Sequence, residues 1–167
     1  PVLFFEHKML YAQRGEVPQD EDFTVPFGKA NLHRHGDDLT IIAIGAMLPK
    51  ALQAAERLAQ EGIQTEVIDP RTLVPLDSPT LIESAAKTGR VMIVHEAHRR
   101  AGPGAEIAAV IAEQAVEFLD APILRVAARN VPLPYSPTLE QVVLPSTEDI
   151  LAAAHQLLKG VKNHAAV

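Results

Sequence analysis

The stretch DDLTIIAIGAMLPKALQAAERLAQEGIQTEVIDP, residues 37–70, decides how this chain folds. LTIIAIG (39–45) is a continuous apolar run closed by glycine. It lacks the alternation of a half-wet strand and reads as a strand covered on both faces. The period then changes. Leu48, Leu52, Ala55, Leu58 and Ala59 recur at helical spacing and predict a helix over 48–60. Gly62 stands where a left-handed residue commonly ends a helix. TEVIDP (65–70) is a second strand, stopped by Pro70.

The same grammar continues downstream. After RTLVPLD, Ser78 or Asp77 can cap a helix over 79–87 with Pro79 in its first turn, and Gly89 closes it. VMIVHE (91–96) is a third strand, 104–119 a long helix, and PILRVA (122–127) a fourth strand. A proline-rich loop, NVPLPYSPTLEQVVLP (130–145), leads to Ser146 and a last helix over 147–158. Glu148 and Asp149 sit at the positive end of that helix. Strands alternating with helices imply a mostly parallel sheet covered on both faces, with right-handed crossovers.

Upstream the grammar differs. VLFF (2–5) reads as a strand. Residues 12–37 are rich in Gly, Pro and charge and read as an extended arm. Within the arm Phe23, Val25 and Phe27 alternate, which suggests a short surface strand. A linker of this length is unusual inside a compact domain and fits better between two domains.

The 167 residues suggest one domain, with 47% apolar and 4% aromatic content. The absence of cysteine excludes a disulfide scaffold and thiolate metal sites. A net charge of -6 without a basic stripe argues against a nucleic-acid partner. No apolar run approaches the roughly 18 residues of a membrane span, and no signal-peptide pattern opens the sequence.

Open α/β sheets gather functional groups at the carboxyl ends of their strands. Gly45, Asp69, His95 and Glu96 fall there. The GAM turn after the first strand lacks a phosphate-loop spacing and reads as a tight turn. VHEAHRRAGPGAEIAA (94–109) is denser in chemistry, with His95, Glu96, His98, Arg99 and Arg100 ahead of Gly102-Pro103-Gly104. The glycines resemble an anion nest at a helix start, but Pro103 offers no N–H, and close backbone packing is the plainer reading. His95 and His98 have no obvious third partner for a metal. They suit proton handling, substrate contact or a subunit boundary. His33, Arg34 and His35 in the arm read as solvated. Arg71 reads as an ion pair with Asp69 or Asp77, or as an interface residue. No GxSxG or cysteine nucleophile motif is present, so the chain does not read as a complete active site.

FFEHKMLY, the GEVP arm, VPFGKA, DDLTIIAIGAMLPKALQAAERL, EVIDPRTLVPLD, VHEAHRRAGPGAEIA, DAPILRVAARNVPLPYS and LPSTEDI occur in that order. Together they resemble the C-terminal part of the β subunit of thiamine-diphosphate-dependent 2-oxo acid and acetoin dehydrogenases, the E1 components of their complexes. IDPRTLVPLD and HEA…GxGAEIA are the most specific segments. The resemblance implies a transketolase C-terminal-like three-layer αβα sandwich whose mainly parallel sheet carries an antiparallel edge strand. It implies that 1–11 is the last strand of a preceding pyrimidine-binding domain, 12–37 the interdomain arm, 38–160 the C-terminal domain and 161–167 a tail.

The resemblance also implies a division of labour. Thiamine diphosphate and Mg would be held by the whole enzyme, not by this piece, which is not expected to catalyse alone. Its implied partners are an E1 α subunit, a second β subunit and the peripheral subunit-binding domain of the E2 acyltransferase. His95, Glu96, His98 and Arg99 are expected near the active-site entrance. Arg71, His95 and Glu96 are expected at the subunit boundary, with Arg99 suited to a 2-oxo acid carboxylate. Glu113, Glu117 and Asp120 are expected to dock E2. The first two, four apart, would share a helical face and steer a basic partner. The implied compartment is the bacterial cytoplasm or the mitochondrial matrix. The rival readings are a stand-alone binding module and the equivalent domain of a transketolase, a deoxyxylulose-phosphate synthase or a 2-oxo acid:ferredoxin oxidoreductase.

Overall fold

The computed structural model describes residues 3–159. Five strands form one sheet in the order β1-β3-β2-β4-β5. They are β1 (Asn31–Arg34), β2 (Leu39–Ala43), β3 (Thr65–Asp69), β4 (Val91–His98) and β5 (Leu124–Ala128). The last four run parallel, and β1 pairs antiparallel with β3 at the edge. Five helices cross between or follow them: α1 (Met47–Gln60), α2 (Ser78–Thr88), α3 (Pro103–Ala115), α4 (Pro137–Val143) and α5 (Thr147–Leu158). The expected three-layer sandwich with an antiparallel edge strand is what the chain forms.

The two cores follow from strand alternation. Ile41, Ala43, Met92 and Val94 point to α1 and α5, where they meet Ala51, Leu58, Ile150 and Leu157. Ile42, Ile68 and Ile93 point the other way, onto Leu81, Ala85, Ile107 and Ile111 of α2 and α3. All five residues of β2 are buried, as expected of a central strand lacking polar alternation. Caps fix the helix ends. Gly62 and Gly89 take left-handed φ values of +84° and +65°, and Ser146 and Asp149 make a reciprocal capping box at the start of α5.

Four elements differ from the sequence reading. The alternating Phe23, Val25 and Phe27 form no strand and are exposed; the arm's strand is β1, a few residues on. Residues 3–7 carry no regular structure, and a 3₁₀ turn, Lys8–Ala12, follows them. The long helix expected to reach Leu119 ends at Ala115, where the chain tightens into a 3₁₀ turn, Val116–Phe118. The proline-rich loop contains α4, entered through Ser136 with Pro137 in its first turn.

The loop after β3 ties the arm to the domain. Gly28 N–H donates to Thr72 Oγ1 at 2.9 Å. Ala30 N–H and the Thr80 hydroxyl both donate to Asp77 Oδ2 at 2.9 Å. Burial alone would raise the Asp77 pKa. The bonds from Ala30 and Thr80, with Lys29 nearby, outweigh it and hold the carboxyl below its ordinary range. IDPRTLVPLD is therefore a clamp on the segment that becomes β1.

Candidate functional site

His95 and Glu96 leave the carboxyl end of the central strand β4 in different directions. His95 follows Ile93 on the α2/α3 face and is 1% exposed. Its ring lies under the first turn of α3. An added Cβ on Gly104 would fall 2.5 Å from His95 Nε2, and one on Gly102 would fall 2.7 Å from His95 Cε1. The Gly-Pro-Gly turn thus lets the helix start close over the imidazole. The structure uses these glycines for close approach, as the plainer reading of the motif held.

Neither ring nitrogen of His95 has a hydrogen-bond partner among the described residues. Burial pushes its pKa below the ordinary histidine value. A polar contact with the Ala97 backbone, short of a hydrogen bond, opposes this shift, and the Arg125 charge adds to it. The folded chain therefore takes up a proton on His95 less readily than the unfolded chain, whose ordinary histidine is protonated below about pH 6.5. Below that pH the unfolded state binds more protons, so stability is complete above it and falls as the pH drops. The expected slope is at most about 1.4 kcal/mol per pH unit. Urea unfolding of the wild type and of His95→Gln between pH 7.5 and 5.5 checks this. The wild type should lose more stability than the variant over that interval.

Glu96 is half-buried and meets the N-terminal segment instead. His7 Nε2 and Glu96 Oε2 lie 2.5 Å apart, joining residues 89 positions apart in sequence. His7 Nδ1 accepts from the Met9 N–H, and the His7 ring passes 3.9 Å from where a Cβ on Gly45 would sit. Gly45, His7 and Glu96 thus meet above the ends of β2 and β4. Nothing local in the sequence pairs His7 with Glu96.

Beyond Glu96 the ladder is irregular: His95 pairs with Ala127 but His98 pairs with Ala128. Two β4 residues, Glu96 and Ala97, therefore sit within one step of β5, a bulge that re-aims the following side chains. His98 Nε2 bonds the Val131 carbonyl at 2.8 Å. The Arg99 main chain is held on both sides, its N–H by the Ala128 carbonyl and its carbonyl by Arg125 Nη1, each at 3.0 Å. The side chains of Arg99 and Arg100 are exposed, and neither pairs with a carboxylate among the described residues.

The remaining candidates lie apart from this cluster. Arg71 sits at a left-handed φ of 58°. Its N–H, not its guanidinium, meets Asp69 Oδ1 at 2.9 Å. The ion pair expected of Arg71 with Asp69 or Asp77 is not formed: Asp69 accepts the Arg71 backbone N–H, and Asp77 accepts from Ala30 and Thr80. Glu113 and Glu117 are exposed, the first on α3 and the second in the 3₁₀ turn that directly follows it. Asp120 pairs with Arg90 at 3.3 Å and packs on Gly89, closing the end of α2. Among the described residues no three His, Asp or Glu converge as metal ligands would. No helix among them is long and apolar enough to cross a membrane.

A five-stranded sheet with this edge strand and these clasps defines an α/β domain of the transketolase type. Residues 28–150 match the family "Transketolase, C-terminal domain", and the chain belongs to that family. It is 46% identical over 163 residues to the acetoin:2,6-dichlorophenolindophenol oxidoreductase subunit beta of Cupriavidus necator, covering 98% of this chain and 48% of that protein. It is 44% identical over 153 residues to the pyruvate dehydrogenase E1 component subunit beta of Rhizobium meliloti, covering 92% and 33%. It is 46% identical over 159 residues to the 2-oxoisovalerate dehydrogenase subunit beta of Bacillus subtilis, covering 94% and 48%. The chain thus spans a third to a half of the length of these relatives. Among solved structures, a split-gene transketolase in an inactive β4 tetramer is similar with a TM-score of 0.71 and 31% identity, over 88% of this chain and 48% of that one.

Proposed function

We propose that this chain is the C-terminal part of an E1 β subunit in a thiamine-diphosphate-dependent 2-oxo acid or acetoin dehydrogenase. There it serves assembly, the active-site entrance and E2 docking, and it does not carry the reacting groups. The observation that carries this reading is the 44–46% identity to β subunits of three such enzymes over 92–98% of the chain. The site's own chemistry supports the division of labour. His95 is buried beneath the first turn of α3, and Glu96 is engaged by His7.

In this reading Glu96 and, separately, Arg71 stand at the boundary with a neighbouring subunit, while the buried His95, expected there too, supports the strand end from within the fold. His98 and Arg99 face the entrance, where a fixed backbone and a free guanidinium suit a 2-oxo acid carboxylate. The partners are an E1 α subunit, a second β subunit and the peripheral subunit-binding domain of E2. Glu113 and Glu117 steer that E2 domain, with Asp120 holding the turn beside them. The work is placed in the bacterial cytoplasm.

The test is co-purification of the chain with an E1 α subunit and with an isolated E2 peripheral domain. Both are expected to be retained. Glu113→Lys with Glu117→Lys is expected to weaken E2 retention by at least about tenfold and leave α retention unchanged. Retention of neither partner overturns the reading, while retention of E2 by the doubly reversed variant overturns the docking assignment alone.

A further inference from the structure

The N-terminal segment and the arm as far as Phe27 have little hold on the domain. Among the described residues, one polar contact joins 3–27 to the rest of the chain, the bond between His7 Nε2 and Glu96 Oε2 at 2.5 Å. The other hydrogen bonds of these residues stay among themselves, such as Leu10 to His7, Gln13 to Leu10 and Phe23 to Asp20. Within 3–27 only His7 and Leu10 are not exposed. The next ties, at Gly28 and Ala30, are made to Thr72 and Asp77. Residues 3–27 are thus a strap, sewn down at its far end and fastened at one point.

One side of the fastening stands on fixed ground. Glu96 lies in the bulge of β4, between His95, paired with Ala127, and His98, paired with Ala128. On the other side the His7 ring is oriented by its own turn. The Met9 N–H donates to His7 Nδ1, so that nitrogen carries no proton and Nε2–H is the donor to Glu96. The ring then lies against the turn after β2, 3.9 Å from where a Cβ on Gly45 would stand.

The opposing effects are of similar size. Closing the chain between His7 and Gly28 into a loop disfavours the closed state by a factor on the order of a hundred. A hydrogen bond to a charged group favours it by roughly ten- to a hundredfold. The two nearly cancel, and the partial burial of His7 and Leu10 tips the balance toward closure without making it permanent.

We propose that residues 3–27 form a strap that opens and closes over the ends of β2 and β4, with His7 and Glu96 as its latch. Opening frees the Glu96 carboxylate and uncovers the Gly45 turn. The sheet is left intact, since none of its strand pairings runs through the strap. This inference goes beyond the proposed function and rests on it in one respect: that reading places an active-site entrance at this end, which makes the latch a gate on it. The two fail separately, because latching is read in the chain alone and retention of E1 α and E2 is not.

Nuclear magnetic resonance of the wild-type chain is expected to show a nuclear Overhauser effect between His7 Hδ2 and the Gly45 α protons, with the His7 ring in the Nε2–H tautomer. Glu96→Gln keeps an acceptor and is expected to retain both signals. Glu96→Ala is expected to lose the Overhauser effect and to speed trypsin cleavage after Lys8 by at least about tenfold. His7→Ala, which lies outside the sheet and both cores, is expected to speed that cleavage at least as much. Circular dichroism confirms that each variant is folded. A wild-type chain without the Overhauser effect overturns the proposal, as does cleavage that neither alanine variant accelerates. An Overhauser effect that survives Glu96→Ala also overturns it, since something other than the latch then holds the strap.

Discussion

Gly102→Ala is expected to destabilise the chain by about 3 kcal/mol, the upper range of overpacking. An added Cβ would stand 2.2 Å from the His98 carbonyl oxygen and 2.7 Å from His95 Cε1. The carbonyl cannot retreat, because His98 is laddered to Ala128 and the next N–H, of Arg99, donates to the Ala128 carbonyl at 3.0 Å. Gly104→Ala meets a different obstacle, the His95 ring at 2.5 and 2.6 Å. A second substitution separates the two. His95→Ala should recover most of the loss from Gly104→Ala and little of that from Gly102→Ala. Urea midpoints of the four variants measure this, and equal recovery in both pairs would show that the His98 carbonyl is not the obstacle.

Lys87→Met is expected to cost about 3 kcal/mol, since removing one partner strands a buried charge. Glu66 is 2% exposed, and its two oxygens are held by the Ser84 hydroxyl and the Lys87 ammonium. The Ser84 hydroxyl also meets Thr40 Oγ1 at 2.7 Å, and Thr40 meets Thr88 at 2.8 Å, so the charge closes a polar chain between β2, β3 and α2. Lys87 is partly exposed, at 39% of its side chain. Water therefore softens the loss of the ammonium but cannot reach the carboxylate it leaves. Glu66→Gln added to Lys87→Met should restore much of the stability by removing the charge itself. Chemical unfolding of the single and double variants decides it, and a single variant as stable as the wild type would mean that Ser84 alone suffices.

Much of this fold was legible because two periods in the sequence coincide with two kinds of element. The strands at 39–45 and 91–96 carry apolar runs that a doubly covered sheet can bury, and the glycines at 62 and 89 mark helix ends by backbone conformation. What was not legible came from pairing across distance. β1 has one apolar residue, Leu32, and becomes a strand because β3 offers an edge and Thr72 and Asp77 hold the approach to it. The phenylalanines of the arm have the alternation but no partner strand. α4 was hidden under its prolines, although Ser136 followed by Pro137 is a helix-start pattern.

The site divides in the same way. That His95 and Glu96 end a central strand follows from the sequence. That one turns inward beneath a glycine turn while the other turns to His7 depends on strand pleat, a bulge and a residue 89 positions away. For Arg71 the expected pair is not formed, and neither its left-handed backbone nor the commitment of Asp77 to Ala30 and Thr80 is written in the local residues.

Strand β1 has a further consequence, for solubility. The outer edge of β3 would otherwise present a row of unpaired N–H and C=O groups on a strand with four of its five residues buried, the kind of edge on which another chain can add itself. β1 covers that edge with four residues, interrupted by a bulge at His33 and carrying His33 and Arg34. A piece of chain that contributes little to either core thus guards the sheet against sticking to its neighbours. The edge that β1 closes is thus held from as far back as Gly28, where the chain is tied to Thr72, ahead of Asp38, where the parallel grammar begins.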